Sequence, residues 1–164
     1  MREDTIRAVV ITVSDTRDDS DDASGEALTG LLLEFGAEVM GKTIVHDERG
    51  EIETLLCKFA DSGEIDLVIT SGGTGLAPRD VTPEATLAVI EREAPGIADA
   101  LRRETAQFTP MSMLARGVCG TRKNCLIINF PGAPKAVRQC FEIIRPILRH
   151  AIEQLRGGRR GHEN

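Results

Sequence analysis

Tryptophan and tyrosine are absent from this 164-residue chain, and phenylalanine occurs only five times. Because large aromatic side chains are so few, the core must be aliphatic. No apolar run approaches the roughly 20 residues that span a bilayer, and residues 1–5 are too polar for a secretory signal. We therefore expect a cytoplasmic protein with no membrane partner.

Cysteine pairs that would indicate a disulfide framework or a zinc site are also missing. No C-x-x-C pair occurs, and no histidine stands at zinc-ligand spacing from a cysteine. We interpret the cysteines as reduced and mostly structural. The four are Cys57, Cys119, Cys125 and Cys140.

Positive charge is scarce relative to negative charge. The net charge of -6 argues against binding to duplex nucleic acid, because such binding requires clustered lysine and arginine facing phosphates. The only basic cluster, Arg156, Arg159 and Arg160, lies among glycines. We predict one domain over residues 1–155 and a flexible basic tail over residues 156–164.

The apolar residues alternate between strand and helix patterns. Continuous runs at residues 8–13, 67–70 and 125–129 are typical of strands buried on both faces of a parallel sheet, and residues 37–45 indicate a less buried strand. Apolar residues at helical spacing follow each strand. This alternation predicts the α/β class, as a three-layer α/β/α domain with a mostly parallel sheet.

Local signals add detail to this pattern. Thr82 is expected as the N-cap of the third helix. Residues 94–121 give a mixed signal, with a helix around residues 97–103 and a short helix over residues 112–116. The acidic run at residues 18–22 is expected in a surface loop.

The topology predicts where a ligand would bind. In an open parallel sheet, ligands bind beyond the carboxyl ends of the strands, where the loops and the following helix N-termini converge. The loops after the four predicted strands should therefore face one cleft. They begin at Ser14, His46, Ser71 and Asn129.

The third of these loops, Ser71-Gly72-Gly73-Thr74-Gly75, carries three glycines in four positions. Such a loop lets the backbone approach a phosphate closely and turn its N–H groups toward the anion. It matches neither the P-loop nor G-x-G-x-x-G, so the motif alone does not name the ligand. The alternative is a tight turn that needs glycine only for positive φ angles.

Two aspartates have ambiguous roles near this loop. Asp80 follows Gly75 by five residues and precedes Thr82, so it either caps backbone N–H groups or coordinates a cation. Asp47 lies in a turn after the second strand, where it is either solvated or on the same edge as the loop. Together the two carboxylates suggest Mg²⁺ bound mainly through phosphates and water.

Two cations are similarly open to interpretation. Lys135, at the start of the last helix, and Arg116 either neutralise a phosphate or are ordinary surface residues. No Ser-His-Asp or Cys-His arrangement is indicated by the spacing.

Three segments in a fixed order carry a family resemblance. They are TSGGTGLAPRDVTPEAT (residues 70–86), LIINFPGAPKAV (residues 126–137) and ITVSDTR (residues 11–17), the last followed by DDASGEAL (residues 21–28). These segments closely resemble the signatures of the MogA/MoaB-type molybdopterin adenylyltransferase family of molybdenum cofactor biosynthesis. The resemblance covers nearly the whole chain.

This resemblance implies adenylyl transfer, in which AMP moves from Mg-ATP to the terminal phosphate of molybdopterin and pyrophosphate is released. It places the two essential acidic residues, which we expect to be both catalytic and Mg²⁺-binding, at Asp47 and Asp80. It assigns ligand binding to the glycine-rich loop and to the loops after the first and last strands. With Arg116 added, the predicted binding residues are Ser14, Asp15, Ser71, Gly72, Gly73, Thr74, Gly75, Arg116, Asn129, Pro131, Gly132 and Lys135.

The resemblance also implies partners and leaves alternatives. It implies a homo-oligomer, a trimer or a hexamer, small-molecule substrates, and the molybdenum insertase as a candidate partner. The alternatives are a molybdopterin-binding protein without turnover, the insertase itself, whose central domain shares this fold, and a stand-alone phosphate-binding regulator. The presence of both Asp47 and Asp80 favours the enzyme.

Overall fold

Six strands form one mixed sheet in the computed structural model, which describes residues 5–157. The strands are β1 (Arg7–Val13), β2 (Glu38–Val45), β3 (Leu67–Ser71), β4 (Arg92–Glu93), β5 (Cys119–Arg122) and β6 (Cys125–Phe130), and their order across the sheet is β2-β1-β3-β6-β5-β4. The four strands β2, β1, β3 and β6 are parallel, whereas β5 and β4 pair antiparallel. The carboxyl ends of the parallel strands therefore lie along one edge.

Helices cover both faces of this sheet. They are α1 (Ala23–Phe35), α2 (Arg49–Asp61), α3 (Thr82–Val89), α4 (Pro95–Thr105), a 3₁₀ helix (Pro110–Leu114) and α5 (Pro134–Leu155). Residues of α1, α4 and α5 share one buried apolar cluster, and residues of α2 and α3 share a second one. The predicted three-layer α/β/α architecture is confirmed. Among the described residues, no helix combines the length and the apolar character needed to cross a membrane.

The composition of β1 reflects its central position. Ala8 and Val10 face the cluster formed with α1, α4 and α5, whereas Val9 and Ile11 face the cluster formed with α2 and α3. Because all four side chains are fully buried, these positions form a continuous apolar run and do not alternate between apolar and polar residues. The buried strands predicted from continuous apolar runs are confirmed.

The acidic run at residues 18–22 does not lie wholly on the surface, contrary to prediction. Asp22 is fully buried, accepts hydrogen bonds from the Gly25 backbone N–H and the Thr12 hydroxyl, and lies 3.4 Å from Lys42 Nζ. A buried carboxylate is stable only with such partners. These partners lie on three different elements, so the local run of acids gives no sign of them.

The prediction that Thr82 caps α3 is also wrong. Thr82 is the first residue of the helix, and its hydroxyl donates to the Gly72 carbonyl oxygen at 3.0 Å. Its backbone N–H donates to the Gly73 carbonyl oxygen at 3.1 Å. Thr82 therefore holds the start of α3 against the glycine-rich loop.

Two strands that we did not predict border the segment with the mixed signal, β4 just before it and β5 at its end. Strand β4 has only two residues, both exposed, and β5 continues the sheet antiparallel to β6. The helix predicted around residues 97–103 is confirmed within α4. The short helix predicted over residues 112–116 is the 3₁₀ helix, two residues earlier.

Arg156 is held to the domain, although we assigned it to the flexible tail. Its guanidinium binds the buried carboxylate of Asp66 at 2.6 Å and donates to the Thr5 carbonyl oxygen at 2.8 Å. Arg159 and Arg160, the other basic residues of the predicted tail, lie outside the described residues.

Candidate functional site

The structure brings the four strand-end loops together at one edge of the sheet. The Ser71 hydroxyl donates to the Pro131 carbonyl oxygen at 3.0 Å, joining the loops after β3 and β6. The Asp47 backbone N–H donates to the Asp15 carboxylate at 3.1 Å, joining the loops after β2 and β1. The Ser14 backbone N–H donates to Val45 at 2.9 Å. The loops thus form one connected surface.

The glycine-rich loop needs glycine at its centre for conformation and for space. Gly72 has φ 104° and Gly73 has φ 67°, so the tight-turn interpretation describes the backbone correctly. A Cβ atom at Gly72 would lie 2.4 Å from the Val13 carbonyl oxygen, and one at Gly73 would lie 2.4 Å from the Thr82 hydroxyl oxygen. Positive φ angles do not exclude a phosphate cradle, because nests of N–H groups are built from such turns.

Both candidate aspartates lie against this loop. A Cβ atom at Gly73 would be 3.0 Å from Oδ1 of Asp47, and one at Gly75 would be 2.9 Å from Oδ2 of Asp80. Asp80 makes no capping hydrogen bond to α3, but its Oδ2 accepts from the Ala77 backbone N–H at 3.0 Å. The two carboxylates therefore stand on the same side of the molecule, at neighbouring glycines.

Burial raises the pKa of Asp47 above its ordinary value of 3.8, and the negative charges of Asp15 and Asp80 raise it further. Because the pKa of Asp47 is higher in the folded state, its protonation stabilises the fold at pH values below 3.8. This stabilisation is lost as the pH rises through the raised pKa. In contrast, the hydrogen bond from Arg79 lowers the pKa of Asp15. At neutral pH, Asp47 is an unfavourable negative charge that a nearby cation would stabilise.

The donor set fits a magnesium ion that arrives with phosphates. Within residues 5–157, no group of three or more His, Cys, Asp or Glu side chains could hold a metal ion. Mg²⁺ is commonly bound by only one or two carboxylates together with substrate phosphates and water. Asp47 and Asp80 are two carboxylates that could hold such an ion, and burial, followed by the negative charges of Asp15 and Asp80, raises the pKa of Asp47.

Two arginines stabilise the loops that carry these acids. Arg79, which the sequence analysis overlooked although it directly precedes Asp80, binds the carboxylates of Asp15 at 2.6 Å and Glu48 at 2.8 Å.

Arg116 donates to the carbonyl oxygens of Gly75 and Asp80, each at 2.8 Å. Arg116 also pairs with Glu84. All three of its guanidinium nitrogens therefore bind the protein itself.

Other predicted binding residues differ in how accessible they are. The side chain of Asn129 is buried: its Oδ1 accepts from the Val118 backbone N–H, and its Nδ2 donates to the hydroxyls of Thr70 and Thr86. This side chain holds β6 to its neighbours. Lys135, by contrast, is exposed in the first turn of α5.

An apolar cavity of about 250 Å³ adjoins the glycine-rich loop, between α4, the 3₁₀ helix and the start of α5. Thr74, Pro131 and Ala133 are among its lining residues. Ser112 is 7% exposed, and its hydroxyl oxygen has no hydrogen-bond partner within the described part of the chain. Because buried hydroxyls normally have partners, the cavity suits a largely apolar ligand that carries a polar group.

A second depression lies among the loops that follow β1, β2 and β3. It is open to solvent and is lined by residues from the loops that carry the acids, including Asp15, Glu48 and Arg79. The site region therefore has two different pockets, one apolar and one charged, and Thr74 of the glycine-rich loop lines the apolar one. Such a pair of pockets is suited to binding two different small molecules.

Comparison with known proteins identifies the family of the chain. A family model described as a probable molybdopterin binding domain matches residues 9–150. The chain belongs to this family. The match spans the sheet from β1 to β6 and includes all four strand-end loops.

Curated relatives are named either for molybdopterin adenylylation or for molybdenum cofactor synthesis. A molybdopterin adenylyltransferase of Helicobacter pylori is 38% identical over 157 residues, which are 93% of this chain and 89% of that protein. The molybdenum cofactor biosynthesis protein B of Staphylococcus aureus is 39% identical over 156 residues, 92% of each chain. The molybdenum cofactor synthesis protein cinnamon of Drosophila melanogaster is 43% identical over 147 residues, and the chain spans only 24% of it.

Solved structures of the family share the fold. The molybdopterin biosynthesis enzyme MoaB of Thermus thermophilus has a TM-score of 0.86 at 40% identity, covering 94% of this chain and 98% of that one. The tungsten cofactor synthesizing protein MoaB of Pyrococcus furiosus has a TM-score of 0.81 at 29% identity, covering 93% and 98%.

Proposed function

We propose that this chain is a molybdopterin adenylyltransferase, which transfers AMP from Mg-ATP to the terminal phosphate of molybdopterin and releases pyrophosphate. The observation that carries this proposal is the placement of Asp47 and Asp80 against Gly73 and Gly75 of one loop. Relatives that are 38% identical over most of the chain are named for this activity.

The reaction requires alignment and charge neutralisation more than proton transfer. An oxygen of the acceptor phosphate attacks the α-phosphorus of ATP, the bond from that phosphorus to the bridging oxygen breaks, and pyrophosphate leaves with the electron pair. A phosphate monoester has a second pKa of about 6, so it is already a nucleophilic anion at neutral pH. This chemistry requires no histidine or cysteine nucleophile.

Each predicted residue then has a defined task. Asp47 and Asp80 would hold the magnesium ion, which, when bound, neutralises charge on the phosphates of the nucleotide. The backbone N–H groups of residues 72–75 would bind the phosphoryl group that is transferred. Arg116 acts indirectly, because its bonds to Gly75 and Asp80 keep the loop and the acid in register.

The two pockets suggest how the substrates are divided. The charged depression near Arg79 would receive the nucleotide, and the apolar cavity would receive the pterin ring system. The unpaired hydroxyl of Ser112 would supply a hydrogen bond to a polar atom of the ring. Both occupants would extend their phosphates toward the glycine-rich loop.

We also propose a homo-oligomer, a trimer or a hexamer, that works in the cytoplasm and supplies its product to the molybdenum insertase. Several large apolar side chains near the cavity are exposed in the isolated chain, which supports burial between subunits. They are Leu76, Phe108, Met111, Met113 and Leu114.

Incubation of the purified protein with molybdopterin, ATP and Mg²⁺ is expected to yield adenylylated molybdopterin and one equivalent of pyrophosphate, both measured by mass spectrometry or a coupled assay. Removal of divalent cations with EDTA should abolish the product, and added Mg²⁺ should restore it. Tight binding of molybdopterin with no adenylylated product would refute the transferase and support the binding protein without turnover.

A further inference from the structure

Arg17 links the start of α1 to the turn before α5. It lies in the loop between β1 and α1, and its Nη1 donates to the Gly132 carbonyl oxygen at 3.2 Å and to the Ser24 hydroxyl at 2.8 Å. The Ser24 hydroxyl donates to the same carbonyl oxygen. The guanidinium is therefore fixed beside the turn that opens α5.

This turn is adjacent to the glycine-rich loop. A Cβ atom at Gly132 would lie 3.4 Å from Cα of Gly72, so the two glycines are packed together. Pro131 and Ala133, on either side of Gly132, line the apolar cavity. Arg17 is thus held where the cavity meets the phosphate cradle.

Among the described residues Arg17 has no carboxylate partner, unlike Arg79 and Arg116 near the site. Arg79 is paired with Asp15 and Glu48, and Arg116 is paired with Glu84. Within residues 5–157, Arg17 has only neutral oxygen partners for its side chain, and its Nε and Nη2 atoms have no hydrogen-bond partner. A fixed guanidinium with unused donors is well suited to binding a phosphate oxygen pair.

The location also indicates which phosphate would be bound. Helices α1 and α5 pack on one face of the sheet together with α4, and the apolar cavity lies on that side. Asp47 lies in the loop that leads into α2, and Asp80 lies in the loop that leads into α3. Both helices pack on the opposite face of the sheet. Arg17 and the two acids therefore flank the glycine-rich loop from opposite sides.

We propose that Arg17 binds the phosphate monoester of the acceptor substrate and holds it against the glycine-rich loop, opposite the acids that hold the nucleotide. This assignment rests on the proposed function. Lys135 is exposed three residues beyond Gly132 and adds a second positive charge to the same side. In this arrangement the positive charge of Arg17 holds the acceptor phosphate on one side of the glycine-rich loop. The acids hold the nucleotide phosphates, through the metal ion, on the other side.

The test compares the Kd values of two proteins for two forms of the ligand and does not require turnover. Wild type and Arg17→Gln are titrated, without ATP, with molybdopterin and with its dephosphorylated form, and Kd is measured by calorimetry or pterin fluorescence. We expect Arg17→Gln to weaken binding of the phosphorylated form about 10- to 100-fold, the range of a lost charge-assisted hydrogen bond. Binding of the dephosphorylated form should be the same in both proteins. In steady state, KM for molybdopterin should rise while KM for ATP changes little.

Two further variants separate the charge from support of the turn. Arg17→Lys keeps the charge and should recover part of the affinity for the phosphorylated form. Ser24→Ala removes the other donor to the Gly132 carbonyl oxygen but no charge, so its effect should be much smaller than that of Arg17→Gln. Arg103→Gln changes the net charge equally at an exposed position on α4 that does not line the apolar cavity, and it should leave both Kd values unchanged.

The outcomes distinguish this proposal from the proposed function. Unchanged binding of the phosphorylated form by Arg17→Gln, or equal weakening of both forms, would overturn the role of Arg17 while leaving adenylyl transfer intact. The expected phosphate-dependent difference in a wild-type protein that forms no adenylylated product would instead support Arg17 and reject the transferase. Failure of wild type to bind molybdopterin at all would overturn both.

Discussion

Asp47→Asn and Asp80→Asn are each expected to lower kcat/KM for adenylyl transfer by about 100-fold or more, equivalent to roughly 3 kcal/mol of transition-state stabilisation. Asparagine keeps the shape of the side chain and its packing against Gly73 or Gly75, but it removes the negative charge that would hold the metal ion. Initial rates at varied Mg²⁺ measure the effect. The Mg²⁺ concentration required for half-maximal rate should rise in both variants.

Stability measurements would distinguish loss of the negative charge from misfolding as the cause of the lower kcat/KM. Because burial and neighbouring charge raise the pKa of Asp47, its ionised form destabilises the fold at neutral pH, so Asp47→Asn should be at least as stable as wild type. Asp61→Asn is the matched control, since Asp61 pairs with Arg122 at the far end of α2. Full turnover in both Asp47→Asn and Asp80→Asn would eliminate these residues as the metal-binding pair.

Gly72→Ala is expected to lower the free energy of unfolding by about 2–4 kcal/mol, because it combines backbone strain with a steric clash. The new Cβ atom would lie 2.4 Å from the Val13 carbonyl oxygen, and φ at this position is 104°. The obstructing atom is backbone in the central strand β1, so it cannot move aside by a side-chain rotation. Urea unfolding monitored by circular dichroism gives the change.

Gly30→Ala provides the matched comparison. Gly30 lies within α1, and a Cβ atom there would have no neighbour within 4 Å. Since alanine is the better helix former, this substitution should stabilise the protein by about 0.5–1 kcal/mol. If Gly72→Ala were as stable as wild type, the loop would not require glycine at position 72. The space for a phosphate could then not be explained by the missing side chain of this glycine.

The parts of the fold that the sequence could predict depend on repeated or local signals. Continuous apolar runs such as residues 8–13 indicate a strand with both faces buried, and the alternation with helices then determines which loops share an edge. The position of Asp47 near the glycine-rich loop follows from that topology, although the two are about 25 residues apart in the chain. The glycines themselves are recognisable because their conformational requirement is local.

The features that sequence reasoning missed depend on contacts between distant segments. Asp22 is buried because Thr12 and Lys42 meet it from two strands, so its exposed neighbours in the sequence were misleading. Arg17 and Arg79 differ in whether a carboxylate from another loop lies within reach, which no spacing rule reports. The apolar cavity arises from three segments that each resemble ordinary surface or core.

The most direct test of the account is to locate the metal in a crystal of the protein with Mn²⁺ and a non-hydrolysable ATP analogue, using anomalous scattering. The account predicts a manganese peak in contact with the carboxylates of Asp47 and Asp80, with the phosphates of the analogue against the backbone N–H groups of residues 72–75. A nucleotide bound with its metal away from both carboxylates, or with its phosphates away from the glycines, would contradict it.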